Sequence, residues 1–170
     1  RPRMFVIDSK GVVSPYRKDL NQEKKKLLQY TNLVGVSGSF KDILEGADIF
    51  IGVSQPGIVT ASMVRLMAKD PIICAMANPV PEIMPDEAKS AGAAIVATGR
   101  SDFPNQVNNA LAFPGIFRGA LDNRVRQITD RHKIAAAETI AKLVKKPSVD
   151  EIIPHVGDER LVPAIAKVIT

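Results

Sequence analysis

The sequence holds no tryptophan, one cysteine and two histidines in 170 residues. The lone Cys74 excludes a disulfide framework within the chain, and a reducing, cytoplasmic setting suits it best. Cys74, His132 and His155 lie far apart in sequence, so a His/Cys zinc centre is not expected. Aromatic residues are 5% of the chain, too few for a surface that stacks bases. No apolar run approaches the roughly 20 residues of a membrane helix. The longest runs, residues 72–77 and 91–97, are of strand or short-helix size. No G-x-G-x-x-G occurs anywhere, and neither does an internal repeat. What is present is ordinary for a folded protein: 45% apolar and 24% charged residues. The net charge is +5, with the basic residues spread along the chain. Their one dense run, Lys24-Lys25-Lys26, reads as a solvated helix face. Neither a nucleic acid nor a membrane is expected as partner, while a mild positive charge suits anionic ligands.

Apolar runs at residues 4–7, 49–53, 72–76 and 94–97 read as strands. Residues 20–30, 39–45, 60–68 and 85–91 read as the helices between them. Ser39 and Thr60 are placed as N-caps, Pro85 as a first helical residue, and Gly46 and Gly92 as stops. This alternation predicts an α/β fold, a parallel sheet with covering helices. The strands are continuous apolar runs, which predicts cover on both faces of the sheet. Beyond Thr98 the pattern changes. Residues 99–109 read as a polar loop, and 115–122, 129–146 and 158–169 as helices, the last despite Pro163.

In such sheets the ligand crevice lies at the carboxyl ends of the strands. There the sequence places Asp8-Ser9, Ser54-Gln55-Pro56-Gly57, Asn78-Pro79 and Thr98-Gly99-Arg100. A carboxylate such as Asp8 at a strand tip can accept hydrogen bonds from ribose hydroxyls; it can equally be a turn residue ahead of Gly11. The Asn78 amide can bridge a carboxamide or a carboxylate, or simply form an Asx-turn. The adjacent amides of Asn108 and Asn109 can hold a polar ligand without adding charge, or cap a local turn. Gly115, Gly119 and Ala120 suggest tight backbone packing. His132 reads as a surface residue of its helix, His155 as a loop residue, and Cys74 as a small buried hydrophobe. No carboxylates show metal-ligand spacing.

Taken together these segments closely resemble the cofactor domain of the short, prokaryotic-type malic enzymes. The resemblance rests first on Thr98-Gly99-Arg100-Ser101-Asp102-Phe103-Pro104-Asn105-Gln106-Val107-Asn108-Asn109 and on Phe113-Pro114-Gly115-Ile116-Phe117-Arg118-Gly119-Ala120. It extends to Val6-Ile7-Asp8-Ser9-Lys10-Gly11, Asp48-Ile49-Phe50-Ile51-Gly52-Val53-Ser54, Ala75-Met76-Ala77-Asn78-Pro79-Val80-Pro81-Glu82-Ile83 and Ile152-Ile153-Pro154. It implies a Rossmann-like, doubly wound sheet with C-terminal helices. Residues 1–147 would form the dinucleotide-binding domain. Residues 148–170 would be a helical segment packed on it or on a neighbouring domain.

The resemblance also implies oxidative decarboxylation of (S)-malate to pyruvate and carbon dioxide. Hydride leaves C2 for a nicotinamide, a divalent metal then polarises the ketone oxygen as carbon dioxide departs, and a general acid protonates the enol. By the same likeness Asn78 and Asn109 contact substrate. Asp8, Val53, Ser54, Asn78 and Asn108 contact the cofactor, and Asp8 favours NAD over NADP. The family's Tyr and Lys acid/base pair, its magnesium or manganese ligands, its first strand and its phosphate loop are expected upstream of Arg1. Tyr16 and Tyr30 do not stand in the matching context. The implied protein is a homo-oligomer that needs its own N-terminal half, and this chain alone is expected to be inactive. The competing expectation is a stand-alone nucleotide-binding or interaction module.

Overall fold

The computed structural model describes residues 2–170. Its first strands, β1 (Ile7–Asp8) and β2 (Gly11–Val12), form a two-residue antiparallel ladder across the Ser9-Lys10 turn. Gly11 adopts a φ of 102°, a conformation that favours glycine. The apolar run at residues 4–7 is therefore not a strand of the main sheet. Strand pairing needs a neighbour, and among the described residues the only ladder that β1 makes is with β2.

After α1 (Gln22–Leu27) and α2 (Phe40–Leu44) come β3 (Ile49–Gly52), α3 (Ala61–Val64), β4 (Ile72–Ala75), α4 (Pro85–Ser90) and β5 (Ile95–Thr98). The three strands lie parallel in the order β3-β4-β5. The helix starts fall where their chemistry places them. Ser39 accepts a hydrogen bond from the Asp42 amide, and Asp42 accepts one from the Ser39 amide, a reciprocal cap. Thr60 caps α3 by accepting from the Met63 amide, and Pro85 opens α4. The helix ends are shorter than expected. Residues 28–30 and 66–67 make i→i+3 bonds, such as Tyr30 N–H to Leu27 and Leu66 N–H to Met63, so the last turns tighten out of α geometry.

Phe50, Ile73, Ala75 and Val96 point from the sheet into one core with Leu44, Val59, Val64, Ala88 and Ala91. The opposite face is covered unevenly: Ala97 on β5 is fully buried, while the β3 side lies open. Ile49 and Ile51 are 54% and 65% exposed, and Ile72, Cys74 and Ile95 are half-buried. Cover on the second face is thus partial among the described residues, complete at Ala97 of β5 and lacking at β3, and Cys74 is less buried than the sequence implied. An apolar run records that a face suits burial; it does not record which segment buries it.

A second core joins a 3-10 turn (Asn109–Leu111) to α5 (Phe113–Asp122), α6 (Asp130–Leu143) and α7 (Leu161–Ala166). Helix α6 stops at Leu143, short of residue 146, because Val144 turns extended. Pro163 sits in the first turn of α7, where its missing N–H has no intrahelical partner to lose. His132 is buried, contrary to the surface reading. Its Nδ1 accepts from the Thr129 amide at 3.1 Å, and its Nε2 lies 3.0 Å from the Thr170 carbonyl. The ring thus fastens the start of α6 to Thr170, past the end of α7. Among the described residues no helix is long and apolar enough to cross a membrane.

Helices α5 and α7 touch through glycine. A Cβ on Gly115 would lie 2.6 Å from the Ile165 Cβ, and one on Gly119 would lie 2.6 Å from the Ala166 carbonyl oxygen. Gly119→Ala is expected to lower unfolding free energy by about 1–3 kcal/mol through overpacking. Urea denaturation measures it, and an unchanged midpoint would contradict the close approach.

Candidate functional site

Parallel register sets the site. Gly52, Ala75 and Thr98 are direct partners across the sheet, so the carboxyl ends of β3, β4 and β5 are level. The chain leaving each strand therefore emerges on one edge. Met76 N–H donates to the Gly52 carbonyl at 3.0 Å. Val107 N–H donates to the Thr98 carbonyl at 2.7 Å, drawing residues 106–108 back beside the end of β5. The edge thus gathers Val53, Ser54, Asn78, Gly99 and Asn108.

The amides there differ in what they have left to offer. Asn108 is half-buried, donates to the Gly99 carbonyl at 3.3 Å and accepts from the Ala110 amide at 3.0 Å. Its side chain caps the 3-10 turn and keeps one N–H and one oxygen lone pair unused. Asn109, the first residue of that turn, is exposed. Asn78 is also exposed, and the Asn78–Pro79 peptide is cis. Val53, at 77% exposure, and Ser54 stand open beside it. Asn105 is buried at a φ of 55°. It donates to the carbonyls of Val96 and Val149 and accepts from the Ile152 amide. It ties the polar loop to residues 149–152, a task that nothing in its residue type distinguishes from its neighbours'.

Asp8 stands apart, at the end of β1 in the separate hairpin. Its Oδ1 accepts from Arg17 at 2.7 Å and from the Lys10 amide at 2.9 Å. Its Oδ2 accepts from Arg17 at 3.1 Å and from the Lys24 ammonium. An ionised carboxylate offers about four lone-pair positions, so all are taken. The Arg17 guanidinium also grips Asp19, at 2.8 Å and 3.0 Å. The Arg17 bonds hold the Asp8 and Asp19 carboxyls well below the usual carboxylate range, and the same pairs hold Arg17 well above its own. Lys24, read from sequence as one of a solvated run, is a member of this cluster.

Two further residues escaped the sequence reading. Glu82 is fully buried and accepts from the Ser54 amide at 2.8 Å and from the Ala77 amide at 3.0 Å. Gly52 makes room for it, because a Cβ there would lie 2.5 Å from the Glu82 Cδ. A carboxylate after Pro-Val-Pro looks like loop polarity in sequence; only its burial reveals it. Among the described residues no group of three His, Cys, Asp or Glu side chains could hold a metal ion. The donor set here therefore does not fit a divalent cation, and no chemical step is placed on one.

Level parallel strands joined by crossing helices, with polar loops at the carboxyl edge, place the fold in the Rossmann-like class of dinucleotide-binding domains. Within it, the chain belongs to the malic enzyme family: residues 1–169 match the family described as malic enzyme, NAD binding domain. It is 55% identical over 169 residues to the bifunctional malic/malolactic enzyme of Bacillus subtilis, covering 98% of this chain and 41% of that one. It is 45% identical to the NAD-dependent malic enzyme of Geobacillus stearothermophilus, covering 96% and 34%. The crystal structure of the NAD-dependent malic enzyme from Thermotoga maritima superposes with a TM-score of 0.92 at 41% identity, covering 98% of this chain and 44% of that one. The chain thus spans less than half the length of these relatives.

The ion cluster sets a pH expectation. Unfolded aspartate titrates near about 4, and the folded Asp8 and Asp19 lie lower. Their contribution is complete above that unfolded value and is lost as pH falls toward the folded ones. Arg17→Met is therefore expected to shrink the loss of thermal stability between pH 7 and pH 3. Equal losses in both proteins would contradict the assignment.

Proposed function

We propose that the whole protein is a malic enzyme. It oxidises (S)-malate and decarboxylates it to pyruvate and carbon dioxide, and this chain supplies its cofactor domain. The observation that carries the reading is the level carboxyl edge, where exposed Val53 and Ser54 leave β3, exposed Asn78 leaves β4, and exposed Asn109 follows the loop that returns to β5. It occurs in a chain that matches the NAD binding domain along its length. Two neutral amides suit a dicarboxylate: each offers N–H donors to a carboxylate oxygen without a fixed charge to hold product back. NAD held at this edge would supply the acceptor for the hydride that leaves C2 of malate. Val53, Ser54 and Asn78 line the nicotinamide end. Asn108 keeps the Gly99 turn in shape beside it.

Relatives named as NAD-dependent and as NADP-dependent malic enzymes both match this chain. Asp8 favours NAD, because a carboxylate accepts from ribose hydroxyls and repels a 2′-phosphate. Its four acceptor positions are filled, so the ribose must displace a partner. Lys24 is the more exposed, at 36% of its side chain against 14% for Arg17. The acid/base Tyr and Lys and the magnesium or manganese ligands come from an N-terminal half. The open face with Ile49 and Ile51 suits cover by that half. Residues 1–147 act as the dinucleotide-binding domain and 148–170 as a helical segment upon it, in a cytoplasmic homo-oligomer.

The whole protein is expected to form NADH from NAD and malate in the presence of manganese. Asn109→Ala is expected to lower kcat/KM for malate by about 10- to 100-fold, the loss of one hydrogen bond to a charged group. Residues 1–170 alone are expected to form none. No turnover by the whole protein with either nicotinamide cofactor, or clear turnover by residues 1–170, overturns the reading.

A further inference from the structure

Glu82 is the only carboxylate among the buried polar residues of the described chain, with none of its surface exposed. Burying a carboxylate is costly unless both oxygens find donors. Here neither donor is a cation. Both are main-chain amides, and they belong to two different loops. Ser54 follows β3, and its N–H reaches Oε1 at 2.8 Å. Ala77 follows β4, and its N–H reaches Oε2 at 3.0 Å. The next residue after Ala77 is Asn78. The main chain around Glu82 grips the first loop again, since Val59 N–H donates to the Glu82 carbonyl at 3.1 Å and Gly57 N–H to the Pro81 carbonyl at 3.3 Å.

Beyond Met76 N–H to the Gly52 carbonyl the ladder ends, and the main-chain ties between the two loops lie further along, at Gly57 and Val59, leaving Ser54 and Ala77 to be joined by a side chain. A carboxylate bonded to one amide from each closes that gap with two charge-assisted bonds. The room for it is built in: alanine at position 52 would bring its Cβ to 2.6 Å from Oε1.

We propose that Glu82 is a positioning residue of the cofactor and substrate site. Its buried carboxylate clamps the loops after β3 and β4 and so fixes Ser54 and Asn78 relative to each other. It touches neither ligand. The role rests on the reading of this edge as the dinucleotide site.

The test uses Glu82→Gln in the whole protein. The amide keeps the shape but offers one acceptor oxygen, so its NH2 must face one of the two N–H donors. The readouts are the Kd for NADH, hydrogen exchange at individual amides, and the melting temperature. The expected result is a Kd raised about ten-fold or more. Faster exchange at Ser54 and Ala77 accompanies it, with protection retained at Ile73 and Val96 within the sheet. A lower melting temperature with unchanged Kd and unchanged exchange at those two amides makes the residue merely structural and overturns the proposal. Should Glu82→Gln fail to fold, Gly52→Ala crowds the same side chain, along with the Phe50 ring, and is read in the same way, by Kd and by exchange at Ser54 and Ala77 against Ile73. A wild-type protein that binds NADH yet never oxidises malate refutes the proposed reaction and leaves this test standing. One that binds no dinucleotide refutes both.

Discussion

Three parallel strands in register hold this structure's function in place. Parallel pairing forbids a tight hairpin and makes each connection cross the sheet, so every strand ends on the same edge. Because Gly52, Ala75 and Thr98 are level, residues separated by 20 or more positions in sequence become neighbours. Everything proposed about chemistry here depends on that alignment: Val53 and Ser54 from one strand end, Asn78 from the next, and the returning Asn108 from the third. Loosen the register by one residue and the inward set of Phe50, Ile73 and Val96 would exchange places with the outward one. The core therefore guards the geometry of the edge.

Much of this could be read from residues alone. Ser39, Thr60 and Pro85 mark helix starts because each solves the problem of unpaired amides at a helix N-terminus. The three strands of the sheet and their polar exits were likewise visible. The first strand was not. Residues 4–7 have strand composition, but a strand exists only with a partner, and here the partner is a two-residue return at Gly11–Val12. His132 was hidden for a related reason. Its burial depends on Thr170, which lies beyond the next helix, and helical periodicity records nothing so distant.

The polar residues of the edge show the same limit more sharply. Asn105, Asn108 and Asn109 look alike in sequence. Folded, one is a buried tie, one a turn cap and one an exposed amide. Glu82 and Gly52 form a lock and its keyhole, 30 residues apart, and neither was distinctive by itself. Asp8 was legible as an acid at a strand tip. Its capture by Arg17 and Lys24 was not, because that requires the hairpin and α1 to face each other.

The central claim is that the level strand ends form the nicotinamide and malate site. A crystal structure of the whole protein with NADH and a non-oxidisable dicarboxylate tests it most directly. The expected result places the nicotinamide against Val53 and Ser54, with Asn78 and Asn109 on the dicarboxylate. Dinucleotide bound on another surface, or a dicarboxylate out of reach of both asparagines, would contradict the claim.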